Sequence, residues 1–172
     1  MRQRVLDTVA AMVVAMPTVA TVGIGTAAAD GPTGGGASTG GATMMSFAQT
    51  YRRCDFSNRT YVSATAYGRP VSFVHNTGSE VIADVQIATA EPNTPYDVRV
   101  IQMPRSSATT CNAGDPGVSG AVLQTDAVGG GGVTVRGLIA SGATGVWVFI
   151  SRPSAFSQTP AEFYTTDFVA PL

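Results

Sequence analysis

Gly142-Ala143-Thr144-Gly145-Val146-Trp147-Val148-Phe149-Ile150-Ser151-Arg152-Pro153 holds the only tryptophan of the chain and its densest apolar run outside the N-terminus. In a β-strand, Val146, Val148 and Ile150 point to one side and Trp147 and Phe149 to the other, because strand side chains alternate with period two. Both faces therefore leave water. Such a strand either lies inside a two-layer structure or keeps one apolar face for a ligand or partner.

Seven more strand-like runs surround it, each bounded by turn residues. They are residues 60–66, 71–75, 80–89, 96–103, 118–125, 132–138 and 163–169. In 80–89, Val81, Ala83, Val85 and Ile87 alternate with a mixed set, the pattern of a sheet packed on one side. In 96–103, Tyr96, Val98 and Val100 face inward and Asp97 and Arg99 outward. Asn76-Thr77-Gly78-Ser79 reads as a hairpin connection, and so does the Gly-rich stretch Thr125 to Gly132, with Asp126 making an Asx-type turn. About eight short strands with turn signals between them predict an all-β fold, a two-layer antiparallel β-sandwich of immunoglobulin-like or jelly-roll-like type. A small β-barrel is the alternative. The runs 80–89 and 96–103 are expected to cover one face of strand 146–151. Met44, Met45 and Phe47, with the ending Phe163 to Phe168, are expected to cover the other.

The remaining composition agrees. Charged residues make up 12% of the 172, while Gly and Pro number 20 and 10, which suits a turn-rich β protein. A formal charge of −1 offers no electrostatic case for nucleic acid or anionic lipid. Every basic residue is Arg; the absence of Lys excludes a Schiff-base or P-loop lysine.

Arg2 and Arg4, the apolar stretch Val9 to Gly25 and Ala27-Ala28-Ala29 read as a secretory signal peptide over residues 1–29. Once it is cleaved, no transmembrane anchor is expected. Residues 30–43 read as a flexible Gly/Ser/Thr linker, and 44–172 as one β-sandwich domain. In an exported chain the two cysteines, Cys54 and Cys111, are expected to pair.

Chemistry is sparse. His75, the only histidine, has no nucleophile motif near it. Glu80, Asp84, Asp97, Glu162 and Asp167 offer carboxylates without a pairing pattern. No catalytic residue, cofactor or metal site is assigned. The aromatics Trp147, Phe149, Phe163, Tyr164 and Phe168 form the candidate binding set if they line an apolar groove; the other reading, favoured for Trp147, is that they pack the sandwich core.

Tyr96-Asp97-Val98-Arg99-Val100-Ile101-Gln102, Leu123-Gln124-Thr125-Asp126-Ala127, Gly142 to Val148 and the ending Phe163 to Val169 resemble a group of small exported proteins of mycobacteria and related actinobacteria. The resemblance implies export and carries over no catalytic residue. The functional expectation is a secreted or cell-envelope domain, not an enzyme, that binds a protein, glycan or lipid. A structural or antigenic surface protein is the alternative, and a hydrolase using His75 or a carboxylate pair ranks below both.

Overall fold

The computed structural model describes residues 41–60, 62 and 66–172. The expected signal peptide and residues 30–40 of the expected linker lie outside them. Ten strands and no helix occur among the described residues: β1 (Thr43–Met45), β2 (Phe47–Ala48), β3 (Arg69–Asn76), β4 (Glu80–Ala88), β5 (Pro95–Met103), β6 (Val118–Gln124), β7 (Gly131–Leu138), β8 (Gly145–Arg152), β9 (Glu162–Thr166) and β10 (Ala170–Pro171). They form a two-layer antiparallel β-sandwich without a closed barrel. One sheet runs β1-β3-β4-β7; the other runs β2-β9-β8-β5-β6, with β10 also on β8.

The alternation read in the sequence builds the space between the sheets. Val81, Ala83, Val85 and Ile87 of β4 meet Tyr96, Val98 and Val100 of β5 and Val146, Val148 and Ile150 of β8 in one apolar core. The β3–β4 connection is a tight hairpin, with Asn76 paired to Val81 and the Gly78 N–H donating to Asn76 Oδ1 at 3.2 Å. Gly78 takes a φ of 90°, which a residue without Cβ adopts freely.

Five expectations need correction. The run 96–103 does not cover β8; as β5 it lies beside β8 in the same sheet, with Trp147 opposite Ile101. An alternating pattern marks a buried face but does not say whether two strands pair edge to edge or stack face to face. Met45 and Phe47 pack into the inter-sheet core, not over Trp147. The stretch 125–130 is a corner rather than a hairpin, because β6 and β7 belong to different sheets. Asp126 does turn the chain there, accepting from the N–H groups of Val128 at 2.9 Å and Gly130 at 2.8 Å. Finally, no strand is found at Thr60, Val62 or Ala66, the described part of the run 60–66. Thr43, placed in the linker by the sequence, opens β1 opposite Val74.

Candidate functional site

The outward face of β8 carries a second apolar cluster of Ile101, Val118, Trp147, Phe149 and Phe163. Neither sheet covers it. Two irregular stretches do, and they form a cap. The first is a tight loop from Tyr51 to Arg59, closed by the Arg59 N–H on the Tyr51 carbonyl at 2.7 Å and the Arg53 N–H on the Ser57 carbonyl at 2.8 Å. The second is the β5–β6 connection. A disulfide joins them, Cys54 to Cys111, as the sequence predicts, with the Cα atoms 5.7 Å apart.

Aromatic edges seat the cap. Tyr51 meets Phe163 at 5.0 Å and Phe149 at 5.9 Å, both in T-shaped geometry. Phe56 meets Trp147 at 5.5 Å. Such contacts add roughly 0.5–1.5 kcal/mol each beyond area burial. Phe56 holds a φ of 67°, an unfavourable value for a side chain of that size. Its ring is gripped between Trp147 and the Arg52 guanidinium, which lies 4.0 Å from the ring centroid.

Between the cap and β8 opens a cavity of about 360 Å³. Trp147, Phe149 and both half-cystines contribute to its wall, with Tyr51 and Ser107, and Arg52, Arg53, Arg59 and Arg99 line it. Arg52 donates to Asn58 Oδ1 at 2.7 Å and to the Phe56 carbonyl at 3.1 Å, and its Nε is buried without a partner. Burial disfavours the Arg52 charge and lowers its pKa, with the field of Asp167 opposing. Arg53 reaches the Asn58 carbonyl at 3.3 Å. Arg99 donates to the Cys111 carbonyl at 3.4 Å. A larger hollow of about 470 Å³ lies on the outer face of the first sheet beside Phe73 and Gln86. Its carboxylate, Asp84, already accepts from Thr134 Oγ1 at 2.5 Å.

The five aromatics expected to bind are placed differently from an open groove. Trp147 is 1% exposed, and Phe149, Phe163 and Tyr164 are also buried; Phe168 alone reaches 40%. Phe149 and Phe163 share the outer cluster with Trp147, whereas Tyr164 turns into the inter-sheet core. There its hydroxyl accepts from the Gly68 N–H at 2.7 Å and donates to Glu162. Glu162 also accepts from Tyr96 Oη at 2.6 Å and from Arg152 Nε at 3.1 Å. Burial, then the hydrogen bond to Glu162, pushes the Tyr96 hydroxyl up to about 12. The same two causes raise Tyr164 further. Burial works against the Arg152 charge, but Glu162 outweighs it and raises that pKa. Glu162 thus closes a structural network instead of meeting a second carboxylate.

His75 stands half-exposed on β3 and makes no side-chain hydrogen bond among the described residues. No group of three or more His, Cys, Asp or Glu there could hold a metal ion. No described helix is long and apolar enough to cross a membrane. The sequence reading missed the arginine-lined cavity. Its available signal was Tyr51-Arg52-Arg53-Cys54, two cations and an aromatic beside a cysteine with a distant partner.

The architecture defines a disulfide-stapled antiparallel β-sandwich with a capped outer face. Comparisons with protein-family models, curated proteins and solved structures give no match.

Proposed function

We propose that this protein is an exported, non-enzymatic binding domain acting at the cell envelope or in the surrounding medium, with the stapled cap as its recognition surface. One observation carries the reading: the cap adds a third layer, held by an intramolecular disulfide, that surrounds a cavity lined by arginines. A sandwich core already exists between the sheets, and the cap takes no part in it. The disulfide suits a compartment that oxidises thiols, in keeping with the signal-like N-terminus. Ligand sites of proteins are concave, with apolar walls and a few placed polar groups, and the cavity under the cap has that composition. The partner is a molecule met outside the cytoplasm, a glycan, lipid or protein.

The test is fractionation followed by binding. The processed protein, recovered from culture medium or envelope, should begin near Asp30 by intact mass and lose two thiol hydrogens to the bridge. It should then bind isolated envelope material saturably in co-sedimentation. Retention of the unprocessed chain inside the cell, or sedimentation that never saturates, would overturn the proposal.

A further inference from the structure

Eight arginines lie among the described residues, and four of them, Arg52, Arg53, Arg59 and Arg99, line the one cavity under the cap. Like charges gathered around a hollow repel one another, although Arg52, Arg59 and Arg99 each lie over an aromatic ring, Phe56, Tyr51 and Phe149. Carboxylates do not offset them at contact distance: the ion pair among the described residues is Arg152–Glu162, elsewhere in the fold. The acids around the cavity reach the arginines through their fields rather than by contact, Asp55 on Arg53 and Asp115 on Arg99. Asp55 accepts from the Ser57 N–H at 3.0 Å and hydroxyl at 2.6 Å. Asp115 accepts from the Asn112 N–H at 2.7 Å. Asp97 lies two residues from Arg99 on the same face of β5, and Asp167 acts on Arg52 only through its field.

Each guanidinium carries five N–H donors in a planar fork. The contacts found use one terminal nitrogen of Arg52, Arg53 and Arg99. Among the described residues Arg59 makes no side-chain hydrogen bond; its guanidinium lies 5.8 Å from the Tyr51 ring centroid. Most donors therefore remain available. The apolar wall of Trp147, Phe149 and the disulfide excludes water on one side, which strengthens any charged hydrogen bond formed against it. A volume of about 360 Å³ suits a small molecule. An extended polyanion calls for a basic stripe across a surface instead.

We infer that this cavity binds a small organic ligand through an oxyanion, a phosphate monoester or a carboxylate, held by Arg52, Arg53, Arg59 and Arg99. The inference rests on the cap being a recognition surface and names the chemistry it recognises. Planar forks fit both kinds of oxyanion in two-point contact. Arg53 and Arg59 are exposed and meet the ligand at the mouth of the cavity.

The experiment is ¹H–¹⁵N NMR of the arginine Nε–H groups in the processed, disulfide-bonded protein. Glucose 6-phosphate and glucuronate are titrated separately, with glucose as the neutral control. Either anion should move the Arg52, Arg53, Arg59 and Arg99 signals, with a dissociation constant on the order of 1 mM or below. A preference for one of them assigns the oxyanion. Arg53→Gln/Arg59→Gln should weaken binding at least about tenfold without altering the emission of Trp147, which reports that the cap is intact. Arg136→Gln, on the other sheet, should leave binding unchanged. Higher salt should weaken it. Static cavity signals up to about 10 mM of both anions, equal shifts with glucose, or equal weakening by Arg136→Gln would each overturn the inference. If envelope binding persists in the Arg53→Gln/Arg59→Gln protein, the ligand chemistry fails while the proposed function stands. Loss of saturable binding by the unmodified protein instead strikes the function.

Discussion

Replacing Cys54 and Cys111 together by Ala should separate the cap from the sandwich. The bridge spans a sequence separation of 57 residues, and the chain-entropy model assigns about 4 kcal/mol to a loop of that size. The loss should not spread evenly. The inter-sheet core contains none of Tyr51, Phe56 or Cys111, which pack on the outer cluster. Without the bridge, the Phe56 turn keeps only its local hydrogen bonds and a few aromatic edges to offset its positive φ. Trp147, the sole tryptophan, then gains water on its outer face, while the strands keep their pairing. Guanidinium unfolding followed by Trp147 fluorescence and by far-ultraviolet circular dichroism tests this directly. In the oxidised protein the two transitions should coincide. In the double variant the stability should fall by about 3–5 kcal/mol, the native emission should shift to the red, and the fluorescence change should precede the loss of strand signal. A loss under about 1 kcal/mol with unshifted emission and coincident transitions would refute the view of the cap as a separate layer held by the disulfide.

Three further outcomes follow from local geometry. Ser72 is fully buried and its hydroxyl has no partner. Ser72→Ala should therefore be neutral or stabilise by up to about 1 kcal/mol in thermal or chemical unfolding, and a loss of that size would show a hidden partner. Gly129 has a φ of 79°, and a Cβ there would stand 2.1 Å from the Ala90 carbonyl oxygen; Gly129→Ala should cost at least about 2 kcal/mol by the same assay. Tyr96 and Tyr164 hold their protons more tightly when folded, Tyr96 up to about 12 against 10.0 ordinarily. The unfolded chain releases those protons first as pH rises, so their contribution is whole below pH 10 and is lost through about pH 12. Denaturation midpoints taken across that window should fall, and Tyr96→Phe should flatten the fall; an equal slope in the variant would contradict the assignment.

The sandwich was legible because its signal is periodic. Val81 to Ile87 and Tyr96 to Val100 alternate cleanly, and Val146 to Ile150 announce a strand buried on both faces. Which neighbour lies beside β8 and which lies over it was not legible, since pairing is decided by register between distant residues. Of the run 60–66, the described residues Thr60, Val62 and Ala66 resemble strand residues in type and form no strand. The cap left no periodic trace: its order comes from one disulfide, one non-glycine residue at positive φ and three edge-on ring contacts. The arginine cavity was hidden by averaging. Three of its cations stand at 52–59, the fourth at 99, and the net charge of −1 dilutes them all. Glu162 showed no pairing pattern because Arg152, opposite it across the β8–β9 ladder, and Tyr96 meet it only in the fold.

Two segments far apart in sequence, β2 and β9, meet in one seam. Phe47 lies opposite Thr166, the Ser46 hydroxyl donates to Asp167 at 2.6 Å, and the Asp167 N–H donates to the Ser46 carbonyl at 3.0 Å. One flank of β8 is supplied by β5, but the other is supplied only by β9 and β10. A polypeptide delivered N-terminus first must therefore wait for residues 162–171 before its most apolar strand has both neighbours. Until then the edge of β8 stays open, and β2 has no strand to join. Late completion of this kind slows folding. Residues 162–171 act as the latch, and removing them should leave an open, adhesive strand edge rather than a smaller sandwich.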